Sequence, residues 1–508
     1  MNNTILKVSV FLSRSTIHCL ILGFLSLSLL LIGITKPFIG IHDFNSVDYG
    51  IYARNHVNYG ILTTKAGMAT NAVKIHAATP RFSYYTHHPT LFSLLLAFSY
   101  SLFGFSELST RAVPIFFSIF SVFGIYLLSK SLGGKLVGFF SALVFILNPM
   151  FLYYGKLPAH EPMLLCFGVW LLYLYKKWIE TGKTAYFRSL GIITALIGLT
   201  GWPGYFFIPV LTVHSYIQNR KRWKKTLYLW GILVATFLIH LAHVWILTGS
   251  VTGGGLIEVL LFRMNRDSSL MADMVGFSWG KYLLQQIRWF IAFFTKPTLF
   301  ASFGWTILFL YQGYKKKVSK ESAFVALVLG IALLYPLIFS NAVFIHDYLN
   351  IYFLPFVSVS AVLFIVFVLS RFTSRTLSKA AILFCFTVLV GLSAKNFYLA
   401  LQQSENARVG YELGVKLHSL TKEDESTVVF ASQFGNFYSR FVDYYSERNV
   451  QYREDSLEEL QKNLPTMAGK YKYMVVVPSH FQDNRVITYL QSSYPSWEDG
   501  GFIFYKLY

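Results

Sequence analysis

STRAVPIFFSIFSVFGIYLLSKSLGGK, residues 109–135, decides the fold of this chain. From Ala112 to Ser129 no residue carries a charge, and the run closes on Lys130, the pair Gly133-Gly134 and Lys135. At 1.5 Å of rise per residue, such a run is about 27 Å long as a helix, close to the roughly 30 Å of hydrocarbon in a bilayer. An uncharged run of that length, ended by a basic turn, reads as a membrane helix that leaves the bilayer on the cytoplasmic side. The same pattern recurs at YKKWIETGKTAYFR from Tyr175, QNRKRWKK from Gln218, YKKKVSK from Tyr314 and RFTSRTLSK from Arg371.

Composition agrees. The chain has 508 residues, of which 54% are hydrophobic and 13% charged, about half the charged share of a soluble domain. Mean hydropathy is +0.49. The net charge of +20 sits in the short turns between apolar runs and forms no single basic face, which argues against nucleic acid as a partner. Cys19, Cys166 and Cys385 all fall inside apolar runs, so they read as small buried side chains and not as a disulfide framework. The first apolar run is long and has no small-residue cleavage site after it, so it is expected to be a retained anchor.

Threading from a cytoplasmic N-terminus (Lys7, Arg14) gives spans at roughly 16–36, 111–130, 134–153, 161–177, 187–201, 203–217, 226–247, 296–313, 323–340, 348–370 and 379–396. The expected fold class is an α-helical polytopic membrane protein with about 11 transmembrane helices and a small C-terminal extracytoplasmic α/β domain. Residues 1–400 would form the membrane domain, with outer loops at 37–110, 153–161 and 248–295, and residues 401–508 the outer domain. TLFSLLLAFSYSLFGF from Thr90 is read as a helix lying at the outer interface. In the tail, STVVFAS, YKYMVVV and GFIFYKLY have the β-branched and aromatic character of strands, while SLEELQKNL and NRVITYLQSSY have helical spacing. No internal repeat is evident, which weakens the case for an inverted-repeat transporter.

The chemistry-bearing residues gather on the outer side of this topology. IHDFNSVDYGIYARNHVNYG, from Ile41, follows the first span and carries Asp43 and Asp48. An acid beside aromatic rings at a membrane boundary suits a general base, although either aspartate also suits a helix start. YYTHHPTL from Tyr84 supplies His87 and His88, fitted to a phosphate, a metal or the wet headgroup boundary. In AHEPMLL, Glu161-Pro162 opens an apolar helix, where proline is tolerated and a carboxylate is costly unless used or favoured by the helix dipole. His346 and Tyr348 stand at the outer end of another span. Arg263, Arg266, Lys281 and Arg288 lie in the long outer loop against the usual charge bias, which points to an anionic headgroup, a lipid phosphate or snorkelling at the interface.

The acid-bearing first loop, HHP before an interfacial helix, STRAVPIFFSIFSVFGIYLLSK and then AHEP together resemble the GT-C superfamily of polyprenyl-phosphate-sugar-dependent glycosyltransferases. Within it, the protein O-mannosyltransferase and aminoarabinose transferase group is the most similar. The resemblance covers roughly 10–205, with further likeness in GLTGWPGYFFIP from Gly198 and HDYLNIYFLP from His346. It implies inverting transfer of a hexosyl or pentosyl sugar from a polyprenyl phosphate to an acceptor hydroxyl of a protein, lipid or glycan, on the outer face of a prokaryotic plasma membrane. The family's HPP or KP element matches His88-Pro89, and its second acidic element matches Glu161-Pro162. Its first acidic pair falls near Asn45-Ser46, so this chain departs from the pattern, and either of Asp43 and Asp48, which flank that place, could supply the carboxylate. Asp43 is the expected base, with Asp48 as the second choice and Glu161 as a positioning or metal-associated acid. His87, His88, Arg263, Arg266, Lys281, His346 and Tyr348 are the expected phosphate and substrate ligands. The leaving phosphate is stable as an anion, so no cofactor is required; a divalent metal, if one is used, would fall to His87, His88 and Glu161. A glycan or lipid transporter or flippase is the alternative, and a polymer ligase another. The Trp-Trp-Asp motif expected of an en bloc oligosaccharyltransferase is absent from the tail.

Overall fold

The computed structural model describes residues 15–71, 81–218, 222–266, 276–371, 375–402, 407–431, 435–481 and 483–507. Lys7 and Arg14, and residues 219–221 and 372–374 of two basic turns, lie outside them. The chain divides into two compact units, Met1–Thr35 with Tyr84–Leu401, and Lys36–Ser83 with Gln402–Tyr508. The segment after the first helix therefore clusters with the tail and not with the helices that follow it.

In chain order the helices are α1 (Ser15–Leu30), α2 (Asp43–Tyr59), α3 (Leu91–Phe103), α4 (Glu107–Ile146), α5 (Pro149–Tyr154), α6 (Glu161–Thr181), α7 (Thr184–Gly198), α8 (Phe207–Gln218) and α9 (Trp223–Thr248). Then come α10 (Leu256–Arg263), α11 (Trp279–Phe294), α12 (Lys296–Tyr314), α13 (Lys320–Ile338), α14 (Ser340–Ile345), α15 (Leu354–Leu369) and α16 (Arg375–Gln402). The tail adds α17 (Arg408–Leu420), α18 (Gly435–Ser446), α19 (Leu457–Ala468) and α20 (Asn484–Ser493).

The first unit is helical, and among the described residues four helices are long and apolar enough to cross a membrane: α4, α9, α13 and the run Asp347–Leu369 that ends in α15. α11 and α12 pass together as a broken fifth, bent by 111°. These helices mark an integral membrane protein. Each segment expected to span is helical, and among the described residues four or five helices meet length and apolarity together. α1 and α7 are apolar but short. α4 contains two of the expected spans; at the expected turn Gly134 takes φ 89 and ψ −180, a conformation open to glycine, and breaks the helix there. Ser106 and Ser109 fix the start of α4 with a capping box.

Between apolar helices in lipid, close packing and not water release holds neighbours together, so small residues mark the contacts. A Cβ on Gly124 of α4 would lie 2.7 Å from Val169 Cγ1 of α6, and one on Gly168 of α6 2.5 Å from the ring of Phe207. Polar tethers add direction: Arg111 donates to the Ile34 carbonyl at 2.7 Å and Lys156 to that of Ile32.

The second unit is built on a five-stranded sheet of β1 (Ser426–Phe430), β2 (Asn449–Arg453), β3 (Tyr473–Val476), β4 (Ser496–Asp499) and β5 (Phe502–Lys506), in the order β2-β1-β3-β5-β4. β1 pairs in parallel with β2 and β3, and β5 runs antiparallel to β3 and β4. Parallel strands covered on both faces need near-continuous apolar runs, which STVVF and YMVV supply. Val428, Phe430, Met474 and Val476 pack under α19 and α20, while Val429, Val475 and Phe504 join Leu413, Leu417 and Val442 of α17 and α18. The three expected strands and two expected helices are all present; β2, β4, α17 and α18 were not expected. Residues 36–47 dock here through Phe38 and Val47, packed with Phe441 and Ala407.

Candidate functional site

In the first unit the HHP segment is held by backbone. The Thr86 hydroxyl donates to the Gly253 carbonyl at 2.9 Å, and His87 Nε2 lies 2.8 Å from the Gly254 carbonyl. The Trp202 indole donates to the His87 carbonyl at 2.6 Å. A carbonyl only accepts, so His87 carries its proton on Nε2. Burial and the neighbouring Arg263 pull the His87 pKa down against that hydrogen bond.

Arg263 closes the last turn of α10, whose Phe262 carbonyl accepts from Asn341 at 2.9 Å. Its Nη1 lies 3.1 Å from His88 Nε2. A guanidinium only donates, so His88 Nε2 is the acceptor and its proton sits on Nδ1. That buried Nδ1 makes no hydrogen bond among the described residues. The His88 pKa is held well below the imidazole range, first by burial and then by the charges of His160 and Arg263. The rings of His88 and His160 pack at a tilt of 44° with centroids 4.3 Å apart, and His160 Nε2 stands 3.4 Å from Glu161 Oε1. Glu161 opens α6 with Pro162 behind it, is buried, and leaves Oε2 without a hydrogen bond. Gly201 allows this arrangement, since a Cβ there would meet His160 Cδ2 at 2.8 Å. The phenols of Tyr85, Tyr335 and Tyr348 are electrostatic neighbours of Arg263.

Beside Arg263 lies a cavity of about 560 Å³ with mostly apolar walls, among them Trp202, Phe206, Leu233, Phe237, Leu260 and Phe339. His87, Arg263 and Tyr335 also line it. An apolar cavity with the cation Arg263 in its wall suits an amphiphile with an anionic head.

The structure gathers His87, His88, Glu161 and Arg263. Tyr348 belongs to the same neighbourhood, next to His346 at 5.2 Å between rings and to Asp347, which accepts from Tyr154 at 2.5 Å. Arg266 is exposed beyond the end of α10. Lys281 is exposed on α11 and donates to the Gly276 carbonyl at 3.1 Å. His160, Tyr85, Trp202 and Tyr335 were not singled out from sequence; only His160 had a signal, its place beside Glu161. Among the described residues no three His, Cys, Asp or Glu side chains gather to hold a metal ion. With His87 committed to Gly254 and His88 to Arg263, the set His87, His88 and Glu161 does not fit a metal as placed.

The two aspartates belong to the second unit. Asp43 is the first residue of α2; its Oδ2 accepts from the Gly40 amide at 2.6 Å and its Oδ1 from the Ser46 hydroxyl at 2.9 Å. Helix α2 thus starts at Asp43, with His42 before it at φ 62. Asp48 Oδ1 lies 3.2 Å from Arg440 Nε of α18, and Arg440 Nη1 lies 3.9 Å from Asp443 Oδ2. Burial raises the Asp48 pKa to about 7, with Arg440 opposing and Asp443 reinforcing. Burial likewise raises Asp443 to about 6, with Arg440 opposing first.

Residues 87–246 match the family model described as dolichyl-phosphate-mannose-protein mannosyltransferase. Among curated protein sequences none matches this chain. Solved structures do. ArnT from Cupriavidus metallidurans bound to undecaprenyl phosphate aligns with a TM-score of 0.64 at 11% identity, over 96% of this chain and 98% of that one. This chain shares the fold of that protein. The archaeal oligosaccharyltransferase AglB from Archaeoglobus fulgidus, in complex with an inhibitory peptide and a dolichol-phosphate, aligns at 0.56 and 14% identity, over 91% and 69%. The arabinofuranosyltransferase AftD from Mycobacteria aligns at 0.52 and 12% identity, over 96% of this chain and 40% of that one.

Proposed function

We propose that this GT-C chain transfers a sugar from a polyprenyl-phosphate donor to an acceptor hydroxyl, with inversion, on the outer face of the membrane. The observation that carries the reading is the apolar cavity with Arg263 in its wall, joined through His88 and His160 to Glu161. The polyprenyl chain occupies the apolar walls, and Arg263 and the His87 side of the cavity face the phosphate. The ArnT and AglB structures, with undecaprenyl phosphate and dolichol-phosphate, support a donor of this class.

In the reaction the acceptor oxygen attacks the anomeric carbon as the bond from that carbon to the phosphate oxygen breaks. The acceptor proton passes to a carboxylate, and polyprenyl phosphate leaves as an anion. Its growing charge is stabilised by Arg263, a donor fixed in place before the reaction begins. Asp43 remains the proposed base, ahead of Asp48, and Glu161 the proposed positioning acid; no step is routed through a metal. The sugar, hexose or pentose, and the acceptor, protein, lipid or glycan, are open to a direct measurement.

The test uses purified protein in nanodiscs with fluorescent undecaprenyl phosphate as the probe. A hydrogen bond to a charged group contributes about 1.5–3 kcal/mol, so Arg263→Gln should weaken binding by roughly ten- to a hundredfold. Glu161→Gln should bind the probe and fail to release polyprenyl phosphate from a mannosyl- or aminoarabinosyl-loaded lipid. Unchanged binding in Arg263→Gln, or no lipid phosphate released by the unaltered protein from any such donor, would overturn the reading.

A further inference from the structure

Helix α11 turns three faces to three surroundings. Inward, the Tyr282 hydroxyl donates to the Pro336 carbonyl at 3.2 Å, and Gln285 and Gln286 donate to the Phe344 and Val343 carbonyls at 3.0 and 3.2 Å. Outward lies an apolar stripe of Trp279, Leu283, Leu284, Ile287 and Ile291, every one exposed. Lys281 and Arg288 are seven residues apart, so they share an azimuth to within about 20° and run along one edge of that stripe. Between Gly276 and Lys296 there is no acid, and Lys281, Arg288 and Lys296 are all exposed cations. Arg288 makes no hydrogen bond or ion pair among the described residues.

In water an apolar stripe of this kind is costly and marks a contact surface. At the next residue but one the chain bends by 111° into α12, and the pair passes as a broken span. A helix bent that far from a crossing partner lies along the bilayer, its apolar stripe in the hydrocarbon edge and its cations at the level of the phosphates. None of its residues lines the cavity beside Arg263. We infer that α11 is a second phosphate-recognising surface, which binds anionic membrane phospholipid through Lys281 and Arg288, apart from the donor cavity.

The full chain is placed in phosphatidylcholine nanodiscs that carry a trace of photoactivatable lipid, either phosphatidylglycerol or phosphatidylcholine, and adducts on α11 peptides are quantified. Each cation near an anionic surface changes partitioning about fivefold. The phosphatidylglycerol probe should therefore label α11 several-fold more than the phosphatidylcholine probe. The double variant Lys281→Gln with Arg288→Gln should bring both to one level, with the phosphatidylcholine adducts retained as evidence that the helix still lies in the bilayer. Equal labelling by both probes in the unaltered protein, or undiminished preference in the double variant, would overturn the inference. So would loss of all lipid adducts in favour of crosslinks to a second copy of the chain, which would make the stripe a protein interface. The readout needs no sugar transfer, so it stands apart from the proposed activity.

Discussion

Asp48, half-buried, and Asp443, buried, flank one guanidinium, Arg440. Burial outweighs the attraction to Arg440, so both carboxyls hold a proton to higher pH than they would unfolded, about 7 and about 6 against 3.8. Between those values the native state binds more protons than the unfolded state, so stability falls as pH rises. Thermal melting of the second unit, followed by hydrogen exchange in α2 and α18, should show greatest protection near pH 4 and a steady decline through pH 6 to 7. Asp48→Asn should flatten that slope, and an Asp48→Asn slope equal to the unaltered one would refute the account. Asp43 has a different test. Both its oxygens accept hydrogen bonds in its own turn, so Asp43→Asn tests structure and chemistry together. Loss of a general base costs roughly 10²–10⁴-fold in rate, loss of a helix-start contact about 1 kcal/mol of stability. We expect donor binding to persist and transfer to disappear; a variant that melts lower yet turns over normally would return Asp43 to the helix start. At this scale the sequence exposed Glu161, because a carboxylate before a proline at the mouth of an apolar helix has few uses. It hid the pairing of Arg263 with His88, which are 175 positions apart, because no local pattern records a long-range hydrogen bond.

Among elements, periodicity and turn chemistry revealed most of what there was to find. Each expected span was visible as an apolar run, and β1, β3 and β5 as β-branched or aromatic runs, whereas α10 and α11 fall in the segment 248–295 that reads as a loop. β2, with the sequence NVQYR, and β4, with SWED, were missed because edge strands of a sheet are exposed and need no apolar pattern. The membership of α2 was missed for another reason: its docking rests on Phe38, Val47 and Phe441, which meet only through folding. Helix contacts in the first unit are equally invisible in composition, but glycine positions make them testable. Gly124→Ala adds a methyl group 2.7 Å from Val169, where overpacking costs about 1–3 kcal/mol, whereas Gly231→Ala adds one to open space. The melting temperature in detergent should fall for Gly124→Ala and hold for Gly231→Ala. Equal behaviour of the two would show that α4 and α6 do not depend on their close approach.

For the whole molecule, charge and hydropathy set the orientation in the membrane. Among the described residues four or five helices are long and apolar enough to cross a membrane. The sequence places Lys130, Lys135 and the cluster Lys315 to Lys317 in turns of one sign, and that bias sets which side stays in the cytoplasm. The loop after α9, with Ser250, and the tail, with Ser479, then belong outside. Both serines are exposed, as is Lys316, so single cysteines at these positions are accessible to a reagent in water. In a background from which Cys19, Cys166 and Cys385 have been removed, an impermeant maleimide applied to intact cells should label cysteine at 250 and 479. Cysteine at 316 should react only after the membrane is opened. In the expected topology one span, 296–313, separates position 316 from 250, and three, 323–340, 348–370 and 379–396, separate it from 479, so the three sites test that topology jointly. Labelling of 316 from outside together with protection of 479 would invert the orientation and put the proposed transfer on the cytoplasmic face. There a donor need not be flipped and an activated nucleotide sugar would serve as well, so the proposed use of a lipid-linked donor would lose its physical rationale.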